Sequence, residues 1–172
     1  MSIIIYVPRS LYEKAREKGI DVQDLVISIL REKLGLDPRD VAEAHVELAE
    51  RYLEEAKQYL EKGDPVQASE KLYKVVEECI KALAESLDVP EAEKAREFGR
   101  WFAWLLDKAA RRISKILNEE KIFATWARAY DLHVWGFHEA KLDIEDVRLD
   151  LPYVEWLLEY TRKIIRNYCE NV

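Results

Sequence analysis

Apolar residues recur at three- and four-residue intervals through most of this chain, and glycines and prolines cut that rhythm into segments of helical length. Gly19 precedes Asp21, Gly35 precedes Asp37-Pro38, and Gly63 precedes Asp64-Pro65. Each set reads as a C-terminal glycine followed by an aspartate N-cap, with Pro38 and Pro65 at the first helical position. Gln67 completes a capping box from Asp64, and Pro90 and Pro152 start two more helices. The pattern predicts a short strand over 3–7 and helices near 9–18, 21–34, 38–62, 65–87, 91–118, 121–141 and 152–170. Gly99 and Gly136 mark where the fifth and sixth of these helices split or bend.

The stripes also predict what packs. Leu48, Tyr52, Ala56, Tyr59 and Leu60 form one apolar face, and Ala68, Leu72, Val75, Val76, Cys79, Ile80 and Leu83 form another. The tight turn at Gly63-Asp64-Pro65 forces the two antiparallel. In the last helix Val154, Leu157, Leu158, Ile164, Ile165 and Tyr168 share a face, with Arg162, Lys163 and Arg166 away from it.

Composition agrees with this picture. Of 172 residues, 49% are hydrophobic and 35% charged, with five Gly, five Pro and one Met, which describes a helix-rich globular protein. The wealth of Glu, Lys and Arg suits a heat-adapted source. The net charge of −7 excludes indiscriminate attraction of nucleic acid, so any RNA or DNA site must be a local patch. Cys79 and Cys169 have no metal-type spacing and read as buried free thiols. With no signal peptide and no membrane-length apolar run, the expectation is a soluble cytoplasmic protein that does not engage a membrane.

Residues 1–36 run strand, turn, helix, short loop, helix, and resemble a ribbon-helix-helix module. In such a strand Ile3, Ile5 and Val7 would face the helices, leaving Ser2, Ile4 and Tyr6 outward. Base readout needs Arg, Lys, Asn or Gln at outward positions, and none is there. Six basic and five acidic side chains leave a net of only +1. The module therefore reads as a homodimerisation element and not as a reader of specific DNA sequences, with packing inside its own chain as the plainer alternative.

Residues 37–172 form the body. The long helix, the Gly-Asp-Pro turn and the run A-x-x-x-L-Y-x-x-V-E-E-x-I-K-A-L are similar to the opening helix pair of HEPN domains. These are helical bundles found in nucleotide-binding proteins and toxin ribonucleases. The whole chain resembles the archaeal PaREP family of HEPN-like proteins, most specifically in GDPVQASEKLY and GFHE. The resemblance implies an all-α antiparallel bundle, preceded here by the strand and two short helices. One helix pair also resembles a tetratricopeptide unit, but no second copy follows, so a solenoid is not expected.

The segment WARAYDLHVWGFHE, residues 126–139, carries the candidate chemistry. In HEPN ribonucleases an Arg and a His four to six residues apart act together across a dimer, and the resemblance assigns Arg128 and His133 to that pair. A His moves protons near neutral pH, while an Arg grips phosphate oxygens. Positions five apart lie roughly 140° apart around an α-helix, so a partner helix or a distortion near Gly136 must complete the site. Ala129 stands where active relatives carry a small polar residue. The plainer reading pairs Arg128 with a carboxylate and leaves His133 and His138 at a helix contact.

His138 and Glu139 are possible accessories. A metal set of His133, His138, Glu139 and Asp143 is disfavoured because ligands on a helix fall at i and i+3 or i+4. No metal or cofactor is expected. Lys108, Arg111, Arg112 and Lys115 form a basic stripe suited to phosphate, with Leu105, Leu106, Ala109, Ile113 and Ile116 opposite, and otherwise a solvated face. Trp101, Phe102 and Trp104 are core aromatics or base-stacking platforms. Together these readings point to an RNA- or nucleotide-related protein, a metal-independent endoribonuclease or its inactive descendant. The alternative is a non-catalytic helical module that binds itself or another protein.

Overall fold

Helix α4 (Pro65–Ser86) runs through the middle of the molecule, and the other elements are arranged around it. The computed structural model describes residues 4–170, with side chains described through Asn167. Before α4 come α1 (Arg9–Glu17), α2 (Val22–Leu34) and α3 (Pro38–Lys62). After it come α5 (Pro90–Phe98), α6 (Ala103–Leu117), α7 (Glu120–Asp131), a π-helical segment (Leu132–His138) and α8 (Ile144–Glu170). The fold is all-α among the described residues.

Local chemistry sets the helix boundaries. The Asp21 carboxylate accepts N–H bonds from Gln23 at 2.9 Å and Asp24 at 3.3 Å, opening α2. Asp37 and Asp40 cap α3 reciprocally, while at α4 Asp64 accepts the Gln67 N–H at 3.0 Å. Gly63 ends α3 at φ 71°, a left-handed conformation that a residue with a Cβ adopts only at a cost. The turn folds α4 back along α3. Tyr52, Ala56 and Leu60 then meet Leu72, Val76, Ile80 and Leu83 in the main core. Val154, Leu157 and Leu158 of α8 and Ile113, Ile122 and Trp126 of α6 and α7 complete it. Cys79 is fully buried, and burial pushes its thiol up to about 12, which makes it unreactive. The side chains of Tyr168 and Cys169 lie outside those described.

Several expectations need correction. No strand forms among the described residues; 4–8 are irregular, and Ser2 and Ile3 lie outside them. A strand needs a neighbour for its backbone groups, and one chain supplies none here. Ile5 and Val7, expected to face the helices, are exposed like Ile4 and Tyr6. The fifth segment, by contrast, divides at Gly99 (φ 68°) into α5 and α6 as its glycine predicts. Finally, α8 begins at Ile144, with Pro152 inside it, because burial of Val147 and packing of Leu151 hold the preceding turns helical. Ile116 of α6, placed with the buried face by spacing, is half-exposed.

One face of α4 is charged yet buried. Lys74, Glu77, Glu78, Lys81 and Glu85 recur at helical spacing, and α2 lies over them. The fully buried Lys81 ammonium meets Asp24 of α2 at 2.7 Å, Glu77 at 2.8 Å and Glu78 at 2.9 Å. His45 of α3 reaches Glu78 at 2.6 Å, Lys74 meets Asp21 at 3.3 Å, and Arg31 meets Glu85 at 2.8 Å. Tyr52 donates its hydroxyl to Gln23. Burial works against the charge on Lys81, but the three carboxylates outweigh it and hold the ammonium well above its ordinary range. Burial likewise opposes the Glu77 carboxylate, and Lys81 and Lys74 hold it down at about 2. Replacing Lys81 by Met leaves three carboxylates without their shared cation. Denaturant unfolding of Lys81→Met should show a loss of about 3–5 kcal/mol, against under about 0.5 kcal/mol for the exposed Arg9→Ala.

Candidate functional site

Helix α7 does not end after Asp131 but widens into the π-helical segment, whose i→i+5 hydrogen bonding puts residues five apart on neighbouring turns of one face. His133 and His138 are such a pair. Their Nε2 atoms lie 3.1 Å apart and their ring centroids 4.5 Å apart. The spacing that argued against a joint role on an α-helix is the spacing a π-turn requires.

The wider turn depends on Gly136. This residue is buried against α4, and a Cβ there would run into the Ser69 side chain. The close approach brings Glu70 and Tyr73 of α4 to His133. Its ring stacks on Tyr73 with centroids 4.2 Å apart, and its Nδ1 lies 3.1 Å from Glu70 Oε2. A carboxylate only accepts, so His133 Nδ1 carries the proton. In the neutral ring Nε2 then holds a lone pair facing His138, whose own Nε2–H can donate to it. The His133 side chain is 24% exposed, and His138 is at the surface. Glu70, Tyr73, Ser69 and the π-turn were not singled out by spacing. Their signal was present all the same, because GDPVQASEKLY and GFHE are the two most distinctive segments and they pack on each other.

Arg128 points elsewhere. Its Nη1 donates to Asp150 of α8 at 2.9 Å, and its guanidinium lies 4.1 Å over the Tyr153 ring. Burial raises the Asp150 carboxyl above its usual range despite Arg128. Within one chain, then, Arg128 engages α8 while His133 engages α4, and the pair brought together is His133 with His138. Glu139 is exposed, and Asp143 accepts the Glu145 and Asp146 N–H groups at the start of α8.

The basic stripe on α6 is partly neutralised within the chain: Arg111 pairs with Asp107 at 2.8 Å, and Arg112 with Glu91 at 2.8 Å. Lys108 lies 5.4 Å over the ring of Trp104, which joins Phe98 and Phe102 in an aromatic cluster at the surface. Trp101 instead packs on the core.

Two further places gather groups that could hold a ligand. A cavity of about 480 Å³ between α2, α3 and the α5–α6 connection is lined by Arg31, His45, Arg96, Arg100 and Trp101 among others. Arg31 and Arg96 there both spend their charge on Glu85. Asp24, His45 and Glu78 converge closely enough to ligate a cation, but the Lys81 ammonium lies 2.7 Å from Asp24 and 2.9 Å from Glu78 and already fills that place.

The archaeal PaREP1/PaREP8 family model matches residues 44–158. The chain belongs to this family. A crystal structure of a Sulfolobus solfataricus protein is 37% identical, with a TM-score of 0.62, covering 67% of this chain and 94% of that one. A solution structure of the same target is 36% identical, with a TM-score of 0.61, covering 72% of this chain and 92% of that one. No curated protein matches. The PaREP match contains α4 and the π-turn and leaves out α1 and α2, so the histidine pair lies in the family body, whereas Asp24 comes from outside it. No helix among the described residues is long and apolar enough to cross a membrane.

Gly136→Ala tests the role of the close approach. Forcing a methyl against Ser69 should cost about 1–3 kcal/mol in unfolding free energy. It should also separate the two histidine rings, read as loss of the nuclear Overhauser contact between them.

Proposed function

We propose that the protein acts on RNA or a related nucleotide phosphodiester through a metal-independent proton-transfer site made by His133 and His138, in a HEPN-like body. The observation that carries this reading is the 3.1 Å approach of the two Nε2 atoms, with His133 oriented by Glu70. Cleavage of RNA needs one group to take the proton from the 2′-hydroxyl as its oxygen attacks phosphorus. It needs another to give a proton to the departing 5′-oxygen, leaving a 2′,3′-cyclic phosphate. Two imidazoles in different protonation states supply both without a metal or net consumption of protons. Arg128, 45% exposed and using one nitrogen on Asp150, has N–H groups left to grip a phosphate. The aromatic cluster with Lys108 is a second place where a single strand can stack. Incubated with RNA in EDTA, His133→Ala and His138→Ala should each lose about 10²–10⁴-fold in cleavage rate. Arg128→Ala should lose less. Equal rates for the wild type and both histidine variants would remove the reading.

A specific observation also supports the second reading, a module that assembles with itself. Neither α1 nor α2 has a buried residue, and Ile4, Ile5, Tyr6, Leu11, Ile29 and Leu34 are each between 47% and 93% exposed. Side chains this apolar and this exposed on one stretch of chain mark an interaction surface. A second copy covers this apolar face of α1, α2 and the segment before them. Light scattering should give twice the 20.3 kDa chain mass. The Tyr6→Glu, Ile29→Glu double variant should be monomeric with its helix content retained.

A further inference from the structure

The imidazole pair has the geometry of half a transition-metal site. Tetrahedral Zn²⁺ with Zn–N bonds of about 2.0–2.1 Å holds its ligand nitrogens about 3.3–3.4 Å apart, and the two Nε2 atoms already stand at 3.1 Å. Opening the pair by a few tenths of an ångström, tilting the surface His138 ring and moving its proton to Nδ1 turn both lone pairs onto the ion. The surroundings also match what a ligating histidine needs. Glu70 takes the Nδ1–H of His133, which fixes the tautomer and directs the Nε2 lone pair outward, as a carboxylate does behind a zinc-bound imidazole. Tyr73 stacks on the ring and holds its orientation. The Gly136 contact with α4 sets the turn that aims both rings. Access is open, since His138 is at the surface and His133 partly so.

We infer that His133 and His138 bind one divalent transition metal ion of imidazole preference, Zn²⁺ above all, through both Nε2 atoms, with water in the remaining positions. The ion takes the place of the proton shared between the rings. The inference stands on ligand geometry alone, so it survives if the protein does not cleave RNA. If the protein does cleave RNA, Zn²⁺ is an inhibitor of that reaction.

The test is titration of the full-length chain, free of any affinity tag, with Zn²⁺ in a non-coordinating buffer, followed by calorimetry and by the ring signals of the three histidines. One ion per chain should bind. The His133 and His138 ring signals should move, while that of His45, held against Glu78, should not. His133→Ala and His138→Ala should each weaken binding at least 100-fold, and Glu70→Gln about tenfold. Gly136→Ala, which keeps both ligands, should weaken it as well, with helix content by circular dichroism showing each variant folded. Failure of Zn²⁺ to move the two ring signals, or binding that survives His133→Ala, overturns the inference. Cleavage in EDTA is read separately, so each idea can fail without the other.

Discussion

A lysine with no exposure at all sits on the central helix, and the docking of α2 and α3 against α4 depends on how its charge is met. An ammonium cannot be buried alone, because the loss of hydration costs far more than the fold's net stability. Lys81 is tolerated because Asp24, Glu77 and Glu78 surround it within 2.7–2.9 Å. Two of those carboxylates come from its own helix, one turn away. The third comes from α2, so α2 must dock for the charge to be fully met. Asp21 to Lys74 and Arg31 to Glu85 extend the same contact along the helix. Directional ion pairs thus hold α2 on α4, where an apolar seam would be the usual means.

This choice has a consequence for the outer surface. A helix that docks through charges need not spend its apolar residues on the core, and α2 keeps Ile29 and Leu34 exposed. The same holds for α1 and the segment before it. Helices α1 and α2 are therefore joined to the rest of the chain by polar contacts and turn an apolar face outward. The family match to residues 44–158 leaves these two helices out and contains the π-turn and the paired histidines.

The π-turn shows how packing can create a local geometry that spacing hides. An α-helical reading separates positions 133 and 138 by most of a half-turn. Gly136 lets the backbone move in against Ser69, the turn widens to i→i+5 bonding, and the rings meet. Arg128 and His133 meanwhile engage different helices, one α8 and the other α4. The sequence drew attention to this segment and to a distortion near Gly136, and the pair that meets within a single chain is His133 with His138. Glu70 and Tyr73 were within reach of inference because their segment was already distinctive. Nothing in their spacing said which other segment they would meet.

Helix boundaries are local matters, and the sequence alone determined most of them. Aspartate caps, first-position prolines and left-handed glycines act on backbone groups within a few residues, so 9–17, 22–34, 38–62 and 65–86 were legible to within a residue or two. The apolar stripes of α3, α4 and α8 were legible for the same reason, since 3.6-residue periodicity is written along the chain. Only the tertiary structure decided the rest. Pro152 lies inside a helix because Val147 is buried. Lys81, Glu77 and Glu78 are interior because α2 covers them. His133 and His138 form a pair because a glycine meets a serine on another helix. Each of these outcomes is set by the energy of contacts between distant segments, and a one-dimensional pattern of side chains does not contain it.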